Sequence, residues 1–570
     1  MCEPKNYIPL STYGTLIGAI DQGTSSTRFL VFSSKTAEVL TYHQIPVSHI
    51  IPQEGWFEQD PMLLLQTVID TIDVTCDNLD KLNINFENIA AIGITNQRET
   101  TVLWDKFTGK PLYNALVWMD MRTSSTVDKI LQNGKHKQNF LQNKCGLPVS
   151  TYFSALKIRW LMDNVPEVQE AIDEGRCLFG TIDTWLIWNL TGGVRGGVHL
   201  TDVTNASRTM LMNIETLKWD PQLCKVFGIP MKILPEIRSS SEIYGHIWFV
   251  SKLVGVPISG VLGDQQAALV GQMCLKPGQA KSTYGTGCFI LYNTGPNMVR
   301  STHGLLTTVA YQLGKNKRPV YALEGSVAIA GISMKWLRDN LQILDNVGDS
   351  ADLAQSVGSV GEVTFVPAFS GLYAPYWRKD ARSVICGLTE ETQPGHLVKA
   401  ALEGICFQVR DVLEAMTLDC GYPLHTMLVD GGMTVNDYLM QMQADYCGIP
   451  VVRPTMLETT CLGAAIAAGM AAGIQVWTLD KIQPVPSDTF TPSISENARD
   501  VKYSRWKKAI KRSLGWAVEE ADPERKNLPR LSDSGEPSSG DQILKSVPAG
   551  LFLFGTAVML IVADLLAKRK

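Results

Sequence analysis

The amino-acid sequence predicts an α/β protein built from two related halves. Apolar runs typical of strands alternate with stretches of helical spacing along most of the chain. A strand–turn–strand segment with a Gly-Thr bend occurs twice, at 16–32 and again at 280–292. The length of 570 residues exceeds what one hydrophobic core holds. Two domains of roughly 250 residues are therefore expected.

The two bends, Gly23-Thr24 and Gly285-Thr286, are predicted to bind phosphate. Glycine lets the backbone approach a ligand closely, and neighbouring hydroxyl and N–H groups donate to an anion. Either bend alone is more often a plain turn, but two bends in related halves indicate two cradles for one nucleotide. Only the first bend follows an acidic residue at a strand end, Asp21, which is placed to hold a metal ion.

Strands that end in polar residues characterise the first half. The strand 89–94 opens onto the polar run 95–101, and helical spacing covers 61–79. A further strand, 256–262, ends in Gly263-Asp264 ahead of a helix. The carboxyl end of a strand is the usual place for a ligand-binding acid in an α/β sheet. Asp264 is therefore in a position suited to chemistry.

The second half repeats this pattern after its own hairpin. The strand 427–430 leads into Gly431-Gly432, and a helix covers 438–446. Glycines between a strand and a helix suit the approach of the backbone to a nucleotide. A helix of small residues at 463–469 is expected to pack closely against its neighbours.

Composition argues against several classes of function. The net charge of −5 gives no electrostatic reason to expect a nucleic-acid partner. Twelve cysteines are present without a CxxC pair or a Cys/His cluster, so a structural zinc site is not expected. Many of them lie in apolar surroundings, which is typical of reduced thiols in a cytosolic protein.

The C-terminal segment differs in kind from the rest. Residues 521–545 are rich in Pro, Ser, Gly and charge, a composition typical of a flexible linker. Residues 546–567 contain one charge, Asp564, and are followed by Lys568-Arg569-Lys570. Such a run is long enough to cross a bilayer as a helix. We expect a tail anchor in the mitochondrial outer membrane, with the preceding chain in the cytosol; no secretory signal is expected.

Five motifs occur together in a characteristic order: Asp21-Gln-Gly-Thr, Asn96-Gln-Arg-Glu-Thr-Thr, Gly263-Asp-Gln, Thr283-Tyr-Gly-Thr-Gly and Asp430-Gly-Gly. Over about residues 15–520 the chain closely resembles the glycerol kinases of the FGGY carbohydrate kinase family. The resemblance implies two ribonuclease H-like domains of the actin and hexokinase type around a central cleft. Their expected bounds are 15–265 and 266–520. The linker and anchor resemble those of some animal members.

The resemblance also implies ATP-dependent phosphorylation of glycerol to sn-glycerol 3-phosphate, with Mg²⁺. Asp264 would act as the base. Glycerol would be bound by Arg98, Glu99, Trp118, Tyr152, Asp264, Gln265 and Phe289. ATP would be bound by Thr24, Ser25, Arg28, Thr286, Gly331, Gly432 and Asn436, and Mg²⁺ by Asp21. Further expected partners are an outer-membrane porin and a second copy of the chain.

Two alternatives stay open at this point. The first is a membrane-tethered scaffold with weak or no turnover. It rests on departures from the family pattern: Ser383 stands where the family usually has Gly, Lys335 where some members carry Gln, and the loop 246–255 is unusually apolar. The second is a sibling kinase acting on a pentulose or gluconate, which Arg98-Glu99 together with Trp118 and Phe289 disfavour.

Overall fold

The structure is a computed structural model, and it describes residues 7–132, 134–248, 251–421, 423–482 and 486–517. The strands are β1 (Leu16–Gln22), β2 (Ser26–Ser33), β3 (Val39–Pro46), β4 (Glu58–Gln59), β5 (Ile89–Asn96), β6 (Thr101–Asp105), β7 (Ala115–Leu116), β8 (Cys177–Thr181), β9 (Leu200–Asp202), β10 (Met212–Asn213), β11 (Lys218–Trp219), β12 (Glu236–Arg238), β13 (Ser241–His246), β14 (Pro257–Gly263), β15 (Ala280–Tyr284), β16 (Cys288–Gly295), β17 (Leu306–Tyr311), β18 (Val320–Val327), β19 (Thr364–Val366), β20 (Val384–Cys386), β21 (Met427–Asp430), β22 (Val451–Pro454) and β23 (Ser487–Phe490).

The helices complete the description of the chain. They are α1 (Leu10–Tyr13), α2 (Pro61–Lys81), α3 (Ser124–Ile130), α4 (Gln142–Cys145), α5 (Ser154–Asn164), α6 (Pro166–Asp173), α7 (Ile182–Leu190), α8 (Val203–Ala206), α9 (Pro221–Phe227), α10 (Asp264–Gly271), α11 (Gly331–Asp339), α12 (Ser350–Gln355), α13 (Pro394–Cys420), α14 (Asp437–Cys447), α15 (Thr459–Met470) and α16 (Glu496–Ser513).

Two large sheets repeat one topology. The first has the strand order β13-β14-β5-β1-β2-β3, and the second has β17-β18-β16-β15-β21-β22-β23. In each sheet a hairpin (β1–β2 or β15–β16) is antiparallel, while β5 and β21 pair in parallel with the first strand of that hairpin. The next strands out, β14 and β22, are also parallel. The prediction of two related halves is confirmed by this shared order.

The first sheet is covered on both faces, which explains its continuous apolar strands. Alternate residues of β1 point to opposite sides: Leu16 and Ile20 pack in one core cluster with α2, whereas Ile17 and Ala19 pack in another with α15. Helix α2 begins where Asp60 caps it, accepting a hydrogen bond from the backbone N–H of Met62 at 2.8 Å. A smaller sheet, β4-β7-β6-β8, adjoins the polar turn after β5.

Glycine lets α15 pack directly on α10. A Cβ added at Gly463 would overlap the carbonyl oxygen of Ala267, and one added at Gly271 would overlap the carbonyl oxygen of Thr459. Helix α15 also packs on β1, β5 and β14, although it comes late in the sequence. The expected close packing of the small-residue helix is therefore observed, and it joins the second half of the chain to the first sheet.

Some expectations fall outside the described residues. The linker 521–545 and the apolar run 546–567 both lie there, so the structure does not describe the expected anchor. Within the described part of the chain, no helix combines the length and apolar character needed to cross a membrane. The domain boundary expected at 265/266 stays a prediction.

The contact between α10 and α15 gives a first prediction. Gly463→Ala should lower the free energy of unfolding by about 1–3 kcal/mol, because the added methyl group forces the two helices apart. Urea denaturation measures the loss. Gly358→Ala is the matched control, since a Cβ there meets no neighbouring atom. Equal stability of the two variants would show that the helices can separate without cost.

Candidate active site

The turns of the two hairpins open onto one cavity of about 430 Å³. The β1–β2 turn supplies Gly23, Thr24 and Ser25, and the β15–β16 turn supplies Gly285 and Thr286. The other lining residues are Asp21, Ser26, Arg28, Arg98, Glu99, Trp118, Tyr152, Asp264, Gln265, Thr283, Gly287, Phe289, Gly431, Gly432, Leu457, Glu458 and Thr460. Residues from both halves of the chain therefore share one site.

Of the residues predicted for the site, all but Gly331 and Asn436 line this cavity. Gly331 lies next to the lining, because its N–H donates to the carbonyl of Gly285 at 3.0 Å. Asn436 caps α14, its side-chain oxygen accepting a hydrogen bond from the N–H of Leu439 at 2.9 Å. The structure thus places Gly331 beside a phosphate-binding turn and gives Asn436 a capping role.

Arg98 lies at the centre of the polar wall, and its side chain is buried. Its Nη1 and Nη2 donate to the two carboxylate oxygens of Glu324 at 2.6 and 2.9 Å. Its Nε lies 3.0 Å from Oδ1 of Asp264. One guanidinium is therefore shared between a carboxylate of the second half and the predicted base.

Glu99 is balanced by a different cation. Arg98 and Glu99 are adjacent in the chain, but their side chains do not form an ion pair with each other. Arg208 Nε instead donates to Glu99 Oε1 at 2.6 Å. Arg208 Nη2 also donates to Glu324 Oε1 at 3.1 Å. Burial raises the pKa of Glu324, but Arg208 and Arg98 outweigh it and bring the pKa down to about 2. Glu324 is therefore an anion at neutral pH.

The backbone of Glu99 adopts φ 59°, the left-handed region that non-glycine residues rarely enter. Strain of this kind persists where the surroundings over-determine it. Here the surroundings are the Arg208 ion pair and the hydroxyl of Ser154, which donates to the carbonyl of Glu99 at 3.1 Å. The turn after β5 is thus held in one conformation.

Three aromatic side chains form the apolar wall. The ring of Trp118 packs edge-on against Tyr152 and Phe289, with centroids 5.6 and 5.5 Å away. Its indole N–H donates to Thr24 Oγ1 at 3.0 Å, which links this wall to the first phosphate turn. The Arg98 guanidinium lies over the ring of Phe289, 5.7 Å from its centroid. Aromatic rings beside a polar group of this kind suit a small ligand with a hydrocarbon face and several hydroxyls.

Asp264 is the first residue of α10, rather than lying ahead of the helix as the sequence pattern suggests. A 26% exposed side chain leaves its carboxylate in reach of the cavity. Burial by the surrounding protein raises the pKa of Asp264, while the charges of Arg98 and Lys281 act in the opposite direction. A carboxylate with a raised pKa and an open face can accept a proton from a bound hydroxyl.

The phosphate side of the cavity carries its own ion pairs. Arg28 donates to Asp21 Oδ2, and its Nη1 lies 2.5 Å from Oε2 of Glu458. Within the described residues, no cluster of three His, Cys, Asp or Glu could hold a metal unaided. Mg²⁺ commonly takes one or two carboxylates together with phosphate oxygens and water. Asp21, beside the hydroxyls of Thr24 and Ser25, fits an ion that arrives with a nucleotide.

Sequence reasoning missed three buried residues of the site. Glu324 and Arg208 complete the ion-pair network, and Lys281 donates to Gln265 and, at 2.7 Å, to Thr283 Oγ1. The signal was present for Glu324, which follows the apolar run 320–323 of β18, and for Lys281, a charged residue in a strand that has no other charge. Charges are rarely buried unless they are paired, so each implied a partner that the sequence did not name.

The Ser383 departure has a simple structural explanation. Ser383 does not adopt a positive φ, so this position has no conformational need for glycine. Its hydroxyl accepts a hydrogen bond from the N–H of Ala368 at 2.7 Å. Lys335 is exposed on α11. Neither departure disturbs the cavity.

Comparison with protein families assigns the chain. The model of the FGGY family of carbohydrate kinases, N-terminal domain, matches residues 16–271, and the model of that family's C-terminal domain matches 280–472. The chain belongs to the FGGY family. The family's two-domain fold, of the actin and hexokinase type, agrees with the two sheets of shared topology.

Individual FGGY relatives are similar over almost their whole length. The chain is 52% identical to a glycerol kinase of Brucella anthropi, covering 88% of this chain and 99% of that one. It is 50% identical to a probable glycerol kinase of Dictyostelium discoideum, covering 88% and 98%. The solved glycerol kinase of Plasmodium falciparum with ADP superposes with a TM-score of 0.77 at 41% identity, covering 88% and 98%.

The ion-pair network gives a second prediction. Arg208→Met should lower the free energy of unfolding by about 3–5 kcal/mol, because it leaves Glu99 buried without its partner. Urea denaturation measures the change. The matched control is Arg338→Met, which removes an exposed ion pair to Asp339 and should leave stability nearly unchanged. If both variants behave alike, the buried network does not stabilise the fold.

Proposed function

We propose that this protein transfers the γ-phosphoryl group of ATP to glycerol and releases sn-glycerol 3-phosphate. The observation that carries the proposal is the position of Asp264. It lines one cavity together with Arg98, Trp118 and the two phosphate turns. Relatives at about half identity over most of both chains are named glycerol kinases. These findings support the substrate as well as the reaction.

Glycerol recognition follows from the polar and aromatic side chains that line the cavity around Asp264. Arg98 and Glu99 hold hydroxyl groups, and Trp118 and Phe289 cover the carbon chain. Gln265, next to the base, and Tyr152 complete the polar contacts. A buried site that pairs each hydroxyl rejects analogues lacking one, because the polar group left behind has no partner.

The chemistry needs a base, a positioned phosphate and charge neutralisation. Asp264 takes the proton of the attacking hydroxyl as the new oxygen–phosphorus bond forms. Thr24, Ser25, Arg28 and Thr286 orient the phosphates, while Gly331, Gly432 and Asn436 bound the adenosine end. Asp21 would hold the Mg²⁺ that accompanies ATP, and the ion would supply neutralisation of charge on the phosphate oxygens.

The alternatives are weaker. The scaffold hypothesis is not favoured, because the acid Asp21, the base Asp264 and the phosphate-binding side chains all line one cavity. The sibling-kinase reading has only distant structural support. A solved gluconate kinase of Lactobacillus acidophilus superposes with a TM-score of 0.73 at 23% identity, which shows the fold alone.

One assay tests the proposal. The purified chain is incubated with ATP and Mg²⁺, and ADP release is coupled to a spectrophotometric readout. Glycerol, xylulose and gluconate are compared as acceptors. Glycerol-dependent ADP release with little response to the two sugars supports the proposal. ADP release with a sugar acceptor instead favours the sibling kinase, and none with any acceptor favours the scaffold.

The base gives a third prediction. Asp264→Asn keeps the size and hydrogen bonding of the side chain but removes its basicity, so kcat should fall at least about 10²-fold. Glycerol affinity should change much less. In the unmodified enzyme, kcat/KM should fall as pH drops through the raised pKa of Asp264, because the protonated acid cannot accept a proton. Near-normal turnover of the variant would make Asp264 a structural residue.

We further propose that residues 546–567 anchor the protein in the mitochondrial outer membrane. The support is the sequence: a 22-residue run with one charge follows a linker and precedes three basic residues. A helix of that length spans a hydrocarbon core of about 30 Å. Short spans with basic flanks favour the outer mitochondrial membrane over the endoplasmic reticulum. The catalytic residues then face the cytosol.

The anchor gives a fourth prediction. Deleting residues 546–570 should move the protein to the soluble fraction with unchanged specific activity, because the site residues all lie far upstream. Changing Lys568, Arg569 and Lys570 to Ser should divert the full chain toward the endoplasmic reticulum. Fractionation and activity assays measure both. If the shortened chain stays on mitochondria, a protein partner such as an outer-membrane porin holds it there.

A further inference from the structure

Glu324 is a buried acid that reaches across the cleft. It lies on β18, in the sheet of the second half, and its side chain is fully buried. Its partners Arg98 and Arg208 both come from the first half. It is absent from the cavity lining, so it has no direct contact with a ligand there. A buried carboxylate in this position needs an explanation.

The geometry of Arg98 suggests one. A guanidinium has five N–H donors arranged in a fixed fork, and it binds a carboxylate most strongly through two of its nitrogens. Glu324 accepts from both Nη1 and Nη2, at 2.6 and 2.9 Å. Asp264 is left with Nε alone, at 3.0 Å. Two carboxylates therefore compete for one cation, and Glu324 holds the stronger pair of contacts.

We propose that Glu324 is a positioning residue that keeps the two-pronged end of Arg98 turned away from Asp264, leaving the Asp264 carboxylate available to take the substrate proton. This inference rests on the proposed function, in which Asp264 is the base. It adds a residue from the opposite half of the chain to the control of proton transfer.

The electrostatic consequence follows from the charges around the base. Arg98, in the turn after β5, and Lys281, on β15, are the cations that act on Asp264. A cation that turns fully toward a carboxylate stabilises its anionic form and weakens it as a base. Glu324 prevents this for Arg98. The other titratable groups around Arg98 and Glu324 are Arg208, Glu99 and Tyr152.

A purely structural role for Glu324 makes different predictions. Glu324 also accepts from Arg208 Nη2 at 3.1 Å and from the hydroxyl of Ser326 at 3.1 Å. If its only task were to join the two halves, its loss would weaken the fold and both substrates' binding together. In Glu324→Asp, which keeps the negative charge beside Arg98, a purely structural role would leave the pH at which the base titrates unchanged. The acid limb of the pH profile therefore separates the two roles.

The test compares Glu324→Gln with the full-length enzyme and with Ser326→Ala. The Gln variant keeps the size of the side chain but loses its charge and one acceptor. We expect the acid limb of kcat/KM for glycerol to move to lower pH by at least about half a unit. The plateau kcat should fall at least about fivefold because the base is weaker. The KM for ATP should stay within about twofold.

Ser326→Ala removes a neutral donor from the same carboxylate and leaves its charge, so its acid limb should stay at the position of the unmodified enzyme. In the double variant Glu324→Gln/Asp264→Asn, the acid limb of the pH profile should be absent. Its absence would assign the titration to Asp264. If Glu324→Gln does not fold, Glu324→Asp serves in its place. Its shorter side chain loosens the pair with Arg98, and the limb should shift in the same direction by less.

An unshifted limb in a folded Glu324 variant overturns the inference, as does a shift to higher pH. An equal rise in the KM values for glycerol and ATP without a shifted limb also overturns it and assigns Glu324 a structural role. These outcomes leave the proposed function intact, since the unmodified enzyme still turns over glycerol. If the unmodified enzyme shows no glycerol-dependent turnover, the proposed function fails, and this inference fails with it.

Discussion

The cavity depends on the close contact between α10 and α15. Gly463 and Gly271 bring the backbones of the two helices together, where any side chain would overlap a carbonyl oxygen. Helix α10 begins with Asp264, and the cavity-lining Glu458 and Thr460 stand at the start of α15. The glycine contacts therefore set the distance between the base on one helix and the phosphate-side residues on the other. The reaction in the cavity therefore depends on a helix–helix contact made by glycines that take no part in the chemistry.

The buried charged side chains orient the polar groups of the site, and their burial costs desolvation free energy. Taking an arginine or a glutamate out of water is unfavourable unless close partners compensate it. Here Arg98, Arg208, Glu99 and Glu324 form a connected set of two cations and two anions, and Arg98 also contacts Asp264. The set fixes the turn after β5, including the left-handed backbone at Glu99. These contacts position the Arg98 guanidinium before a ligand binds.

Sequence reasoning was strong where chemistry depends on short motifs. The α/β class follows from the alternation of strand and helix patterns, and the Gly-Thr bends and the strand-end acids Asp21 and Asp264 indicate part of the cavity. Other lining residues, such as Arg98 and Trp118, were predicted from the family resemblance. Sequence reasoning was weak where partners are distant in the chain: Arg98 and Glu324 are 226 residues apart. No local pattern names such a partner, because only the paired sheets bring it close. At Ser383 the sequence indicated a difference that the structure does not show. Ser383 replaces the family's usual Gly, yet its φ is not positive and its hydroxyl accepts a hydrogen bond from Ala368.

Two ion pairs at the cavity join the halves with the same polarity. Arg98, from the first half, meets Glu324 from the second, and Arg28, also from the first half, meets Glu458 from the second. In each pair the cation belongs to the half that carries the first hairpin. Separating the halves would break both pairs at once and leave charges unpaired, which is expensive wherever water cannot replace the lost partner. The halves are thus aligned at the glycerol side and at the phosphate side by the same kind of contact. A ligand that competes for Arg28 loosens only the phosphate side, because the Arg98 pair is fully buried.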